Sequence, residues 1–146
     1  MAPCIQDKDS KETDFIAVNL GTNDALNTAI DGHALLGIKK VVDSLKRSVN
    51  TPLLICAVPP TLDLYANKTR SMINDYLQFE CSRNSHQMRF VDADISLKDI
   101  GQDGIHLKPE GKDKLCRSIL TAALDFTRDC KHAMMPPHRF SIMPLK

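Results

Sequence analysis

Three short, mostly apolar runs, each followed by a helical pattern, constrain the fold of this chain most strongly. The runs cover residues 15–20, 53–58 and 88–91. The first closes on Gly21 and the second runs into Pro59-Pro60, so each is typical of a strand that enters a loop. Strands that are apolar along their whole length favour a parallel sheet covered on both faces. The order of elements therefore predicts an α/β protein with right-handed crossover helices.

The helical segments carry apolar residues at spacings of three and four, as expected of helices that bury one face. The first helix is predicted to bury Leu35, Ile38, Val42, Leu45 and Val49. The second is predicted to bury Tyr65, Thr69, Met72, Tyr76 and Leu77, and to end near residues 83–84. The last begins near Pro109, a good first-turn residue, and is predicted to bury Leu115, Ile119, Ala122, Phe126 and Cys130.

Composition limits the classes of protein to consider. Hydrophobic residues make up 42% and charged residues 25% of the 146 residues, which excludes a chain that is disordered throughout. Lys and Arg number 19 against 18 Asp and Glu, so net charge gives no reason to expect nucleic-acid or anionic-membrane binding. No apolar run approaches the roughly 20 residues of a membrane span, and no apolar segment of a signal peptide opens the chain. We expect a cytoplasmic protein.

The chain divides into three parts by pattern. Residues 1–13 are polar and are expected to be loose, residues 14–130 hold the strand–helix units, and residues 131–146 carry three prolines without a period and are predicted to be irregular. The five cysteines include no CxxC pair, and Cys56, Cys81 and Cys116 are predicted to be buried, reduced thiols. No metal site is expected, because the Cys and His residues near the C-terminus lack a fourth ligand.

The stretch DGIHLKPEG, residues 103–111, places a carboxylate three residues before a histidine. It lies between the third strand and the last helix, and ligands of open parallel sheets bind beyond the carboxyl ends of the strands. Asp103 could hold Nδ1 of His106, fix the tautomer and leave Nε2 as a general base. The alternative is an Asp–His hydrogen bond that only orders the loop and caps the following helix.

The stretch GTNDALN, residues 21–27, follows the first strand and so falls at the same edge. The Asn23 side-chain amide is a neutral donor suited to a developing oxyanion. Gly21 lets the backbone turn sharply and approach a ligand, and Asp24 is assigned with Gly21 to substrate binding. The alternative is ordinary turn and helix-capping composition.

A strand that ends in GxND, two strand–helix units and then DxxH before the last helix resembles the SGNH (GDSL) hydrolase family over about residues 14–130. The resemblance implies a flavodoxin-like three-layer α/β/α fold and hydrolysis of small-molecule carboxylic esters, without a metal or organic cofactor. It implies that Asn23 donates to the oxyanion, and that Asp103 and His106 complete a Ser–His–Asp triad.

The family nucleophile, a Ser in a Gly-Asp-Ser loop, has no counterpart here. The nearest string is Asp9-Ser10, and no apolar strand precedes it. We therefore expect an incomplete domain without its first strands, with little or no activity alone. The strand from Phe15 to Leu20 would then be an exposed edge open to self-association or pairing with another chain.

Several origins and functions remain open at this point. The chain could be a truncated gene model, a fragment of a longer multidomain or mobile-element protein, or a degenerate paralogue. The alternative function is a non-catalytic binding or interaction module of the same fold. A flavodoxin- or receiver-like signalling domain shares the rhythm of strands and helices, but the sequence lacks the acidic cluster and the phosphate-binding loop that such a domain needs.

Overall fold

The computed structural model describes residues 15–27 and 31–134 of the chain. Strands and helices alternate, and the predicted α/β fold with a parallel sheet is confirmed. In chain order the elements are β1 (Ile16–Val18), α1 (Thr22–Asn27), α2 (Asp31–Ser48), β2 (Leu53–Cys56), α3 (Leu64–Arg83), β3 (Met88–Val91), a 3₁₀ turn (Leu97–Asp99) and α4 (Pro109–Met134). None of the helices in these ranges is both long enough and apolar enough to cross a membrane.

The three strands form one parallel sheet in the order β1-β2-β3. Leu53 lies opposite Ile16 on one side and Met88 on the other, so β2 is the central strand and is buried throughout. Within the described ranges β1 pairs with β2 alone. Its outer edge therefore presents backbone groups without a strand partner.

Helices cover the two faces of the sheet unequally. The larger core lies between the sheet and helices α2 and α3; its fully buried members include Val42, Leu53, Ile55, Ile73, Leu77 and Met88. On the other face Leu54, Cys56 and Val91 pack against Phe126 of α4. Because α4 packs on β2 and β3, Ala17 of β1 is exposed. Helix α4 therefore covers β1 less than it covers the other two strands.

The buried face of α3 differs from the predicted one. Thr69 and Leu77 are buried as predicted, whereas Tyr65 is 82% exposed and Met72 is 38% exposed, and Ala66 and Ile73 are buried in their place. At these two positions the buried residue lies one place after the predicted one, because the large apolar residues of α3 do not all lie on its buried face. That face also includes the charged residue Glu80.

Glu80 is buried because it has a cation beside it. Its side chain is 7% exposed and accepts from the Lys46 Nζ of α2 at 3.0 Å. A carboxylate that loses its hydration needs such a partner, since an unpaired buried charge is strongly unfavourable. The pair therefore fixes how α3 lies against α2.

The cysteine predictions hold for two of the three described thiols. Cys56 and Cys81 are buried, and burial raises the pKa of Cys56 to about 11 and that of Cys81 to about 12. Cys116 is exposed, contrary to the prediction, because it lies on the outer side of α4. Helix α4 continues to Met134, so the first four residues of the predicted irregular tail are helical.

We predict that Gly21→Ala destabilises the fold by about 1–3 kcal/mol. The φ angle of Gly21 is +103°, and an added Cβ would lie 2.7 Å from Val58 Cγ2. Gly37→Ala is the matched control, because nothing lies within 4 Å of its added Cβ inside α2; it should stabilise by roughly 0.5–1 kcal/mol. Urea denaturation followed by circular dichroism measures both, and equal effects of the two substitutions would contradict the prediction.

Candidate active site

One loop contacts both sequence motifs. This β2–α3 loop, residues 57–63, starts at the carboxyl end of β2. Val58 lies against Gly21 so closely that there is no room for a side chain at position 21. The Leu62 N–H donates to the Gly104 carbonyl at 3.1 Å, and the Leu62 side chain packs over Gly104. The GTND and DGIH stretches therefore both contact the β2–α3 loop, one at Val58 and the other at Leu62.

Side chains of α3 hold the start of the β2–α3 loop. Asn74 accepts from the Val58 N–H at 2.7 Å and donates back to the Val58 carbonyl at 3.0 Å. Arg70 Nε donates to the same carbonyl at 2.7 Å. The two prolines that follow cannot donate, so these contacts from α3 satisfy the part of the loop that leaves the sheet.

The loop that carries the Asp–His pair closes on itself. The Gly101 N–H donates to the His106 carbonyl at 2.7 Å, and Ile100 and Leu107 form an antiparallel bridge. Gly104 has a φ angle of +77° and its added Cβ would lie 3.1–3.2 Å from Leu62 atoms, so glycine is required here for two reasons. The loop is therefore a fixed turn and not an open excursion of the chain.

Asp103 uses both carboxylate oxygens within this turn. Its Oδ1 accepts from the backbone N–H groups of Ile105 and His106, both at 2.9 Å. Its Oδ2 forms a hydrogen bond with His106 Nδ1. These bonds, that with the His106 ring first, hold the pKa of Asp103 well below its usual range, since each favours the ionised carboxylate.

The arrangement fits the predicted acid–base pair, and it also fits part of the alternative, in which the Asp–His hydrogen bond orders the loop and caps the following helix. Asp103 does order the loop, but its backbone partners lie within the turn and not in the first turn of α4. The carboxylate at Nδ1 favours the tautomer with its proton there and leaves Nε2 as an acceptor. The His106 side chain is 82% exposed, so a ligand can reach it. Chemically, such a ring can take up a proton and be stabilised as the imidazolium.

The other predicted site residues are placed less fully. Asn23 and Asp24 lie two and three residues after Gly21, in the first turn of α1, a helix that was predicted to be a turn. The directions of their side chains lie outside what the structure describes, and so does Ser10, which belongs to residues 1–14. The oxyanion role of Asn23 and the substrate contact of Asp24 stay predictions.

A buried carboxylate beside the site, that of Asp99, was not predicted from the sequence. Asp99 is 4% exposed, accepts from the Ser96 N–H at 3.0 Å and pairs with Lys114 Nζ of α4 at 2.8 Å. The hydrogen bond from Lys114 is the main reason that the pKa of Asp99 is lowered. Lys114 thus ties the 3₁₀ turn to α4. Its spacing from Asp99 offered no signal, because the two residues meet only once the DGIH turn has closed.

We predict that the Asp103 carboxylate stays ionised at pH values near 3.9, where an ordinary aspartate is about half protonated. Because its folded pKa is lowered, the pair stabilises the fold above the unfolded pKa, and this contribution disappears as the pH falls through the folded value. The carboxyl ¹³C shift of Asp103 during an acid titration measures this. A midpoint at the ordinary value would show that the hydrogen bonds of the turn do not hold the charge.

Comparison with known proteins identifies the family and the fold of the chain. The model of the GDSL-like lipase/acylhydrolase family matches residues 2–119, while no curated protein matches. Six solved chains match; one, from Streptococcus pneumonia and provisionally described as a platelet activating factor, is 22% identical with a TM-score of 0.53. The match covers 76% of this chain and 60% of that chain. At 22% identity it shows that the two chains share a fold. Since the family match covers most of the sequence, the chain belongs to the GDSL-like lipase/acylhydrolase family.

Proposed function

We propose that Asp103 and His106 are the acid–base part of a site for acyl transfer from carboxylic esters. The observation that carries the proposal is the hydrogen bond between Asp103 Oδ2 and His106 Nδ1 on an exposed ring. A ring held in this way can take a proton from an attacking hydroxyl at Nε2 and return it to the leaving group. Membership of the acylhydrolase family supports the ester as the substrate class.

The GTND stretch would supply the oxyanion donor. The Asn23 amide would stabilise the negative charge that develops on the ester carbonyl, a contribution that is commonly worth about 100- to 1000-fold in rate. Gly21 and Asp24 would border the substrate. Support comes from the β2–α3 loop, which contacts Gly21 through Val58 and Gly104 through Leu62.

We further propose that this chain alone hydrolyses esters slowly or not at all. Within residues 15–27 and 31–134, the side-chain partner of His106 is Asp103, and no hydroxyl group is bonded to its ring. Ser96, the nearest preceding serine in sequence, is turned towards Asp99. Loss of a triad nucleophile typically lowers turnover by about a million-fold. A non-catalytic module that binds esters or their products is the second candidate, and the exposed His106 ring would serve it equally.

The ester proposal predicts a residual reaction that depends on the pair. In the absence of a nucleophile, the His106 imidazole itself should attack an activated ester such as p-nitrophenyl acetate. We expect His106→Ala and Asp103→Asn each to remove most of this slow hydrolysis. His86→Ala is the matched control, because His86 is also exposed but lies far from the motifs in the turn between α3 and β3. Equal losses in all three variants would contradict a special role for His106.

A fluorophosphonate probe tests the missing nucleophile directly. We expect no stoichiometric labelling of this chain, as judged by intact-protein mass spectrometry. Labelling that disappears in Ser10→Ala would refute the proposal and return Ser10 to the site. Labelling at another serine would identify a nucleophile that neither the sequence motifs nor the described residues indicated.

We propose that the edge of β1 pairs with another strand, from a second copy or another polypeptide. The Ile16 N–H donates to the carbonyl of Pro52, just before β2. Because alternate residues of a parallel strand bond to opposite sides, the N–H and carbonyl of the next residue, Ala17, face outwards. Among the described strands this edge has no partner, and such an edge favours association.

Size-exclusion chromatography at several concentrations should therefore show concentration-dependent self-association. Ala17→Pro should abolish it by removing an outward N–H without breaking a bond to β2. Ala17→Val, which keeps that N–H, is the control and should associate as the unmodified chain does. A monomer at all concentrations would contradict self-pairing through this edge.

A further inference from the structure

We propose that Asn67 of α3 is a positioning residue, which holds the Asp103–His106 pair in place through two intervening peptide groups. The proposal rests on the proposed function, because it assigns Asn67 a part in that same site. Asn67 does not contact the reacting atoms. It acts at the start of a chain of hydrogen bonds that ends on the Asp103 carboxylate.

The first link joins Asn67 to the backbone of Thr61 in the β2–α3 loop. Asn67 Nδ2 donates to the Thr61 carbonyl at 2.7 Å, and Asn67 Oδ1 accepts from the Thr61 N–H at 2.9 Å. The side-chain amide thus imitates a neighbouring strand and satisfies both backbone groups of one residue. Thr61 is 3% exposed, so water does not compete well for these bonds.

The second link runs through the peptide group between Thr61 and Leu62. This group is planar, with its carbonyl and N–H on opposite sides. Asn67 binds the carbonyl, and the N–H, which belongs to Leu62, donates to the Gly104 carbonyl at 3.1 Å. The hydrogen bond from Asn67 therefore sets the plane that aims the Leu62 N–H at the catalytic turn.

The third link repeats this geometry in the turn itself. The Gly104 carbonyl accepts from Leu62, and the N–H of the same peptide group, which belongs to Ile105, donates to Asp103 Oδ1 at 2.9 Å. Asp103 Oδ2 in turn binds His106 Nδ1. Every donor in the chain points towards the carboxylate, so each bond polarises and strengthens the next, by about 10–30% per bond.

The simpler alternative is that Asn67 only anchors the loop. Asn74 provides the comparison, because it makes the same reciprocal pair with the backbone of Val58, from the same helix to the same loop. The Val58 pair has no hydrogen bond that leads on to Gly104. If loop anchoring were all that mattered, loss of either asparagine would disturb the pair alike.

The experiment measures the ¹⁵N shifts of the His106 ring in the full chain, at a pH where the imidazole is neutral. Asp103→Asn should move the proton off Nδ1. We expect Asn67→Ala to move the ring shifts part of the way towards those of Asp103→Asn, and to move the Ile105 amide proton upfield. Asn74→Ala should leave both at the values of the unmodified chain.

Asn67→Asp gives a second test, since it keeps the acceptor for the Thr61 N–H and removes the donor to the Thr61 carbonyl. It should shift the His106 ring in the same direction as Asn67→Ala, and circular dichroism confirms that each variant is folded. Unchanged ring shifts in both Asn67 variants, or equal changes in Asn74→Ala, would overturn the proposal. If Asp103→Asn itself left the ring unchanged, the acid–base pair of the proposed function would fail, which is a separate result.

Discussion

The β2–α3 loop is the constraint on which the candidate site depends. The site combines two motifs that are some 80 residues apart along the chain, and each motif carries a glycine with positive φ that packs against this loop, at Val58 or at Leu62. Neither glycine tolerates a side chain, because the loop occupies that space. The side chains of α3 in turn hold the loop. The acid–base pair is thus supported by a helix that contributes no reacting group.

Regular elements could be predicted from the sequence because their signals are local. Strand β3 and the start of α4 at Pro109 lie where the pattern placed them, since a short apolar run and a first-turn proline need no distant partner. The Asp103–His106 bond could be foreseen for the same reason: three residues of turn suffice to form it.

Features that depend on contacts between distant segments could not be predicted. The burial of Glu80 in α3 was not predicted, because its partner Lys46 lies 34 residues earlier in the chain. The ion pair of Asp99 with Lys114 and the hydrogen bond from Leu62 to Gly104 also require the folded chain. Helix α1 was missed since its six residues, TNDALN, begin with turn and capping composition.

The described residues hold part of the candidate site on a small sheet of three parallel strands. The hydrogen bond between Asp103 and His106 forms within the described residues, in a turn that the β2–α3 loop contacts. Within residues 15–27 and 31–134, β1 pairs with β2 alone, and Ala17 is exposed.

Mapping of a tetrahedral oxyanion mimic tests the central claim, the convergence of both motifs on one ligand, most directly. Monoethyl methylphosphonate resembles the intermediate of ester hydrolysis and should bind where that intermediate is stabilised. In ¹H–¹⁵N spectra of the full chain, the account predicts shift changes in residues 21–24 and 103–106 together, including the Asn23 side-chain amide. Changes confined to one motif, or spread elsewhere on the surface, would contradict it.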